Sequence, residues 1–147
     1  MKTCREVMTS DVKCCLSTDT ADLAAQLMKD ENIGAVPITE AGSGRLVGIV
    51  TDRDLAVKVV ADGRDPKSTR VSDVMTSKLV TCSPSDGFDK AIESMQMHQI
   101  RRIAVCDDTG RIVGIIAQAD VATKSNEPRK TAEMVEKISE PTAAAMR

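Results

Sequence analysis

Apolar residues recur along this chain with two alternating periods. Over residues 20–31, TADLAAQLMKDE, the residues Leu23, Ala24, Leu27 and Met28 fall three to four apart, which predicts an amphipathic helix, with Thr18 or Asp19 as its cap. Residues 35–39, AVPIT, predict a short strand, EAGSG a turn, and residues 45–51, RLVGIVT, a second strand rich in β-branched side chains. Residues 52–61, DRDLAVKVVA, return to helix, with Asp52 and Asp54 in the first turn, where a carboxylate suits the helix dipole. The order then recurs: helix 86–98, strand 102–107, turn at Asp108-Thr109-Gly110, strand 111–117 and helix 118–124. After a break at 125–127, Pro128 suits the first position of a final helix. There Met134, Val135 and Ile138 form a narrow apolar stripe expected to dock on the module or on a partner chain, and residues 141–147 are expected to fray.

The recurrence extends to residue identities. Val7-Met8-Thr9-Ser10 matches Val74-Met75-Thr76-Ser77, and at the same offset Asp19 meets Asp86, Ala24 meets Ala91, Met28 meets Met95 and Ile33 meets Ile100. After a one-residue slip, Gly44-Arg45-Leu46-Val47-Gly48-Ile49 meets Gly110-Arg111-Ile112-Val113-Gly114-Ile115, and Asp54 meets Asp120. Chance hardly supplies four such blocks in one order. The expected division is repeat 1 at 1–61, a polar linker at 62–70, repeat 2 at 71–124, and a C-terminal helix and tail at 125–147. The fold class expected is α+β, two pseudo-twofold β-β-α repeats that bury against each other sheet faces neither can cover alone, leaving equivalent clefts suited to a ligand.

Composition narrows the chemistry. The 147 residues hold one Phe and neither Tyr nor Trp, so the core is aliphatic and the aromatic stacking platforms of single-stranded nucleic-acid binders are missing. A net charge of −2 offers no general attraction to nucleic acid or an anionic membrane, and no apolar run reaches membrane-spanning length. The N-terminus lacks the apolar core of a secretory signal. A cytoplasmic location is expected, with the five cysteines (Cys4, Cys14, Cys15, Cys82, Cys106) reduced. There is no GxSxG, P-loop lysine or HExxH, so the expectation is a binding protein and not an enzyme.

The two Val-Met-Thr openings, Ile33-Gly34-Ala35-Val36-Pro37-Ile38 and Gly48-Ile49-Val50-Thr51-Asp52-Arg53-Asp54 carry a resemblance, as do Gln99-Ile100-Arg101-Arg102-Ile103-Ala104-Val105 and Gly114-Ile115-Ile116-Ala117-Gln118-Ala119-Asp120 in the second repeat. The chain resembles the cystathionine-β-synthase (CBS) domain pair, or Bateman module, over about Cys4 to Thr123, and is similar to small stand-alone bacterial pairs of the hypoxic-response-protein type. The resemblance implies a regulatory homodimer that takes AMP, ADP, ATP or a related adenosyl ligand in the cleft between repeats and signals to an effector protein not identified by the sequence. It implies that Thr51 supplies a hydroxyl and Asp54 a carboxylate to the ligand. A carboxylate suits the vicinal hydroxyls of ribose, and a strand-to-helix junction offers free N–H groups to a phosphate. The second copy departs from the pattern: Ala117 stands where a hydroxyl is usual, while Asp120 is kept. By the same resemblance the backbone near Lys13, Cys14 and Cys15, and near Val80, Thr81 and Cys82, reads the adenine edge. Ala35 lines the site, and Arg53, Arg101 and Arg102 face phosphate, where a guanidinium fork bonds bidentately.

Each of these residues also has a plainer reading. Asp54 and Asp120 suit a helix first turn, Thr51 a strand end, and the arginines a solvated surface. The alternative function is a zinc- or redox-responsive interaction protein without nucleotide binding, with Cys14, Cys82 and His98 as the candidate zinc ligands; such a site needs about four converging groups.

Overall fold

The computed structural model describes residues 2–124 and 128–139. The expected break at 125–127 and the tail at 141–147 lie outside the described residues. The elements are α1 (Cys4–Val7), β1 (Cys15–Leu16), α2 (Ala21–Glu31), β2 (Ala35–Thr39), β3 (Leu46–Thr51), α3 (Asp52–Leu55), β4 (Thr81–Cys82), α4 (Phe88–His98), β5 (Arg102–Cys106), β6 (Ile112–Ala117), α5 (Gln118–Lys124) and α6 (Pro128–Ile138). A π-helical turn, Ala56–Val60, continues α3, and a 3₁₀ turn spans Val71–Asp73. The α+β class and the β-β-α order of both repeats match the sequence reading.

Two compact units divide the chain. One holds Asp11–Leu79 with Thr109–Ile112; the other holds Met1–Ser10, Val80–Asp108 and Val113–Arg147. Each unit therefore takes its Val-Met-Thr segment from the far side of the sequence: Val74-Met75-Thr76 packs with the first repeat's sheet, and Val7-Met8-Thr9 with the second's.

In the first unit the sheet order is β1-β2-β3, with β1 parallel to β2 (Cys15 opposite Ile38) and β2 antiparallel to β3 (Ala35 opposite Thr51). Thr76 extends the far edge, donating to and accepting from Ile49 at 2.9 and 3.0 Å. The core is Cys15, Ala21, Ala24, Met28, Val36, Ile38, Val50, Val59, Val71 and Val74. Gly48 is required here by packing: a Cβ on it would lie 2.8 Å from Met75 Cγ and 3.1 Å from the Thr76 carbonyl.

The second unit repeats this plan, with sheet order β4-β5-β6 and β4 parallel to β5 (Thr81 opposite Ala104). Thr9 exchanges both backbone bonds with Ile115, and a Cβ on Gly114 would lie 2.7 Å from Met8 Cγ. Its core joins Cys4, Val7, Cys82, Phe88, Ala91, Ile92, Met95, Ile103, Val105, Ile116 and Val121. Met134 of α6 is fully buried there and Ile138 packs alongside, while Val135 is exposed, so the expected stripe narrows to two residues.

Two local expectations differ from what is found. The buried face of α2 is Ala21, Ala24 and Met28, with Leu27 packed alongside the core and Leu23 largely exposed, so the helix turns Ala21 inward in place of Leu23. Thr20, not Thr18 or Asp19, occupies the N-cap position of α2. The Asp19 carboxylate accepts instead from the Leu16 N–H at 2.8 Å, closing the turn between β1 and α2, and Asp86 does the same for Ser83 N–H at 2.9 Å. Both helices end on a left-handed residue at equivalent positions, Asn32 (φ 53°) and Gln99 (φ 54°), which lets Ile33 and Ile100 turn back into their strands.

Candidate functional site

Most of the residues singled out from sequence gather at the junctions where the last strand of each sheet enters a helix; Cys14 and Cys15 do not, since Cys15 lies opposite Ile38 at the other end of β2 from Ala35. In the first unit Thr51 ends β3 and caps α3. Its Oγ1 accepts from the Asp54 N–H at 3.1 Å, and its own N–H donates to Asp54 Oδ2 at 2.9 Å. This reciprocal pair satisfies two of the backbone donors that a helix start leaves open. The second carboxylate oxygen of Asp54 meets Lys58 Nζ at 3.2 Å, and that ammonium also donates to the Val74 carbonyl at 3.1 Å. Asp54 keeps 14% of its side-chain surface in contact with solvent, and each of its oxygens makes one of these contacts, so acceptor capacity remains. Ala35 lies directly across the β2–β3 ladder from Thr51, and the Asp52 N–H donates to the Gly34 carbonyl at 3.0 Å. Thr51, Asp54 and Ala35 thus converge at one end of the sheet. Arg53 is exposed on the same helix.

The second unit reproduces the arrangement with one atom missing. The Ala117 N–H donates to Asp120 Oδ2 at 2.8 Å, Asp120 Oδ1 meets Lys124 Nζ at 3.3 Å, and Lys124 Nζ donates to the Val7 carbonyl at 2.6 Å. Ala117 supplies no hydroxyl, so only half of the reciprocal cap forms. The Arg101 carbonyl accepts from the Gln118 N–H at 2.9 Å beside this junction; Arg101 is exposed and Arg102, which opens β5, is half-buried. Lys58 and Lys124 were missed from the sequence. The available signal was an Asp and a Lys four apart on a helix, present in both repeats.

The cysteines divide between the units. Cys15 is buried on β1, and burial pushes its thiol up to about 11; burial raises Cys14 as well. In the second unit Cys4 and Cys82 are both buried, with their sulfurs 3.7 Å apart. The Cys82 S–H donates to Cys4 Sγ, which lowers the Cys4 thiol and raises that of Cys82.

The candidate zinc ligands Cys14, Cys82 and His98 fall in different units of the chain. Cys14 belongs to the first unit, Cys82 and His98 to the second, and the His98 ring bonds the Ser94 carbonyl of its own helix at 2.9 Å. Among the described residues no three His, Cys, Asp or Glu side chains converge as a metal ion would need. No helix among them is long and apolar enough to cross a membrane.

Two β-β-α units, each closed by a Val-Met-Thr segment lying on the glycine of its last strand, define a tandem-repeat α+β protein with a matching polar junction in each half. The family model for the CBS domain matches the chain twice, at residues 4–61 and 71–127, and the chain belongs to that family as a CBS pair. It is 40% identical over 129 residues to the CBS domain-containing protein YhcV of Bacillus subtilis, covering 86% of this chain and 89% of that one. Among solved structures it resembles Hypoxic Response Protein I, determined with two coordinated zinc ions, at a TM-score of 0.75 and 32% identity, covering 84% of this chain and 98% of that one. The CBS domain pair of MJ0100, solved with 5′-methylthioadenosine and S-adenosyl-L-methionine, shares the fold at a TM-score of 0.76 and 24% identity, covering 87% and 98%.

Proposed function

We propose that this CBS pair is a regulatory module that binds an adenine nucleotide (AMP, ADP or ATP) or a related adenosyl compound, and that it acts as a homodimer on a separate effector protein. The observation that carries this reading is the Thr51–Asp54 junction. A carboxylate held in place by a backbone N–H and by Lys58 keeps spare acceptor capacity for the vicinal hydroxyls of a ribose. The adjoining helix start offers the partial positive charge that favours a phosphate. Thr51, Asp54, Ala35 and Arg53 are the ligand-contacting residues proposed in the first unit, with the backbone of Cys14 and Cys15 beside the adenine. Arg101, Arg102 and Asp120 are their counterparts in the second unit. That junction lacks the hydroxyl, so it is the weaker site. The adenosyl compounds held by the MJ0100 pair, which shares the fold, support the ligand class. A bound ligand shifts the module between conformations by no more than its difference in affinity for them, which sets the limit of the signal.

Zinc is the second reading, favoured by the two zinc ions in Hypoxic Response Protein I. The described side chains here form no three-ligand group, and no step of the proposed function is routed through a metal.

The test is thermal unfolding with AMP, ADP, ATP, NAD and S-adenosylmethionine, read by circular dichroism because the chain has no Trp or Tyr. A ligand at 100 times its Kd adds about 2.7 kcal/mol, on the order of 5–10 °C for a chain of this size. Asp54→Asn weakens the cap as well, so the quantity compared is the ligand-induced shift within each variant. A shift with one adenosyl compound that vanishes in Asp54→Asn supports the reading; no shift with any of the five overturns it.

A further inference from the structure

The Cys4–Cys82 pair belongs to neither strand-to-helix junction. Both side chains are buried in the core of the second unit, and 78 positions of sequence separate them. Their backbones are held from several sides. The Cys4 N–H donates to the Asp86 carbonyl at 2.8 Å and the Arg5 N–H to the Pro84 carbonyl at 3.0 Å. The Phe88 N–H donates to the Lys2 carbonyl at 2.9 Å. Cys82 is fixed opposite Val105 in the β4–β5 ladder. Two thiols so anchored, with sulfurs 3.7 Å apart and one hydrogen-bonded to the other, stand in direct contact, the starting point for closing to the S–S bond length of about 2.05 Å.

We propose that Cys4 and Cys82 form a reversible disulfide in the folded protein when it meets a hydroperoxide, fastening α1 to β4. The Cys4 sulfur attacks one peroxide oxygen and the O–O bond breaks, giving a sulfenic acid at Cys4 and water. The Cys82 sulfur then attacks the sulfenic sulfur, and a second water leaves with the Cys82 proton. Two thiols and one hydrogen peroxide become one disulfide and two waters, and the two electrons pass from sulfur to peroxide. The Cys82 S–H donates to Cys4 Sγ at 3.7 Å, which favours Cys4 as the attacking sulfur against the opposing effects of its own burial and of Asp86, while the same bond and burial hold Cys82 protonated until the second step. The bond closes a long loop and pins the segment whose Val7 carbonyl receives Lys124 and whose Met8 lies on Gly114. Oxidation therefore stiffens the Asp120 junction of the second unit. This inference does not depend on nucleotide binding.

The experiment treats the full chain with hydrogen peroxide at neutral pH under native conditions, alkylates the remaining thiols after denaturation, and maps the digest by mass spectrometry without reductant. The expected result is a peptide joining Cys4 to Cys82, removed by dithiothreitol, with Cys14, Cys15 and Cys106 alkylated. The intramolecular bond is also expected to raise Tm by on the order of 10 °C, a rise absent from Cys4→Ser and Cys82→Ser treated alike. Recovery of Cys4 and Cys82 as free thiols under peroxide that oxidises added glutathione, pairing of Cys82 with Cys106, or a pair that forms only after unfolding, each overturns the proposal. The mapping on the unaltered chain stands even where a serine variant fails to fold.

Discussion

The two strand-to-helix junctions form a natural mutant pair, because one carries the hydroxyl that the other lacks. Thr51→Val keeps the β-branched shape and removes only the acceptor that the Asp54 N–H uses at 3.1 Å. Losing a helix N-cap acceptor costs about 1 kcal/mol, within a range of roughly 0.5–2. The site is half-buried, so water replaces the lost partner only in part, and the expected loss is about 1 kcal/mol. Ala117→Thr performs the reverse change in the second unit, where the Ala117 N–H already donates to Asp120 Oδ2 at 2.8 Å and only the hydroxyl is missing. Its expected gain is about 0.5–1 kcal/mol, smaller because the added side chain must also be ordered. Urea titration followed by far-ultraviolet circular dichroism measures both. With m of about 2 kcal/mol/M, Thr51→Val moves the midpoint down by about 0.5 M and Ala117→Thr moves it up by about 0.25–0.5 M. Two compact units make a single transition a point to verify, by a second probe that gives the same midpoint. Thr51→Ser keeps the hydroxyl and serves as control. If Thr51→Ser loses as much as Thr51→Val, or Thr51→Val changes stability by less than about 0.3 kcal/mol, the capping argument is wrong.

Gly48→Ala and Gly114→Ala each drive a methyl into the methionine lying on the strand and are expected to cost about 1–3 kcal/mol by overpacking, measured in the same titration; pairing Gly48→Ala with Met75→Ala should recover part of the loss. Met134→Ala removes a fully buried side chain from the second unit's core and is expected to cost about 2–4 kcal/mol, whereas Val60→Lys, 76% exposed, should stay within about 0.5 kcal/mol. Asp86 is held below the usual carboxylate range, first by the Ser83 N–H and then by Lys90. Its contribution is therefore present above the unfolded value of about 4 and is lost as pH falls through the folded value. The stability gap between wild type and Asp86→Asn should accordingly narrow in acid titrations below about pH 4, and a gap that widens there would contradict that assignment.

Much of the fold was legible because it is local. The period of three to four in TADLAAQLMKDE and the short β-branched run RLVGIVT mark their elements to within a residue, and the doubled Val-Met-Thr and Gly-Ile blocks announce two copies of one plan. The turn that Asp19 closes was less legible, since an Asp before a helix serves a cap and a turn equally well and only the path of β1 decides between them.

Taken alone, then, the sequence determined the element order, the family and the residues at the two junctions, all of which rest on spacings of a few positions. Tertiary structure decided which Val-Met-Thr segment closes which sheet, that Lys58 and Lys124 tie each junction to that segment, and that Cys4 meets Cys82. The physical reason is the same throughout. Periodicity records which face of an element is apolar, but contacts between residues tens of positions apart depend on how those faces pack, and local spacing carries no trace of that.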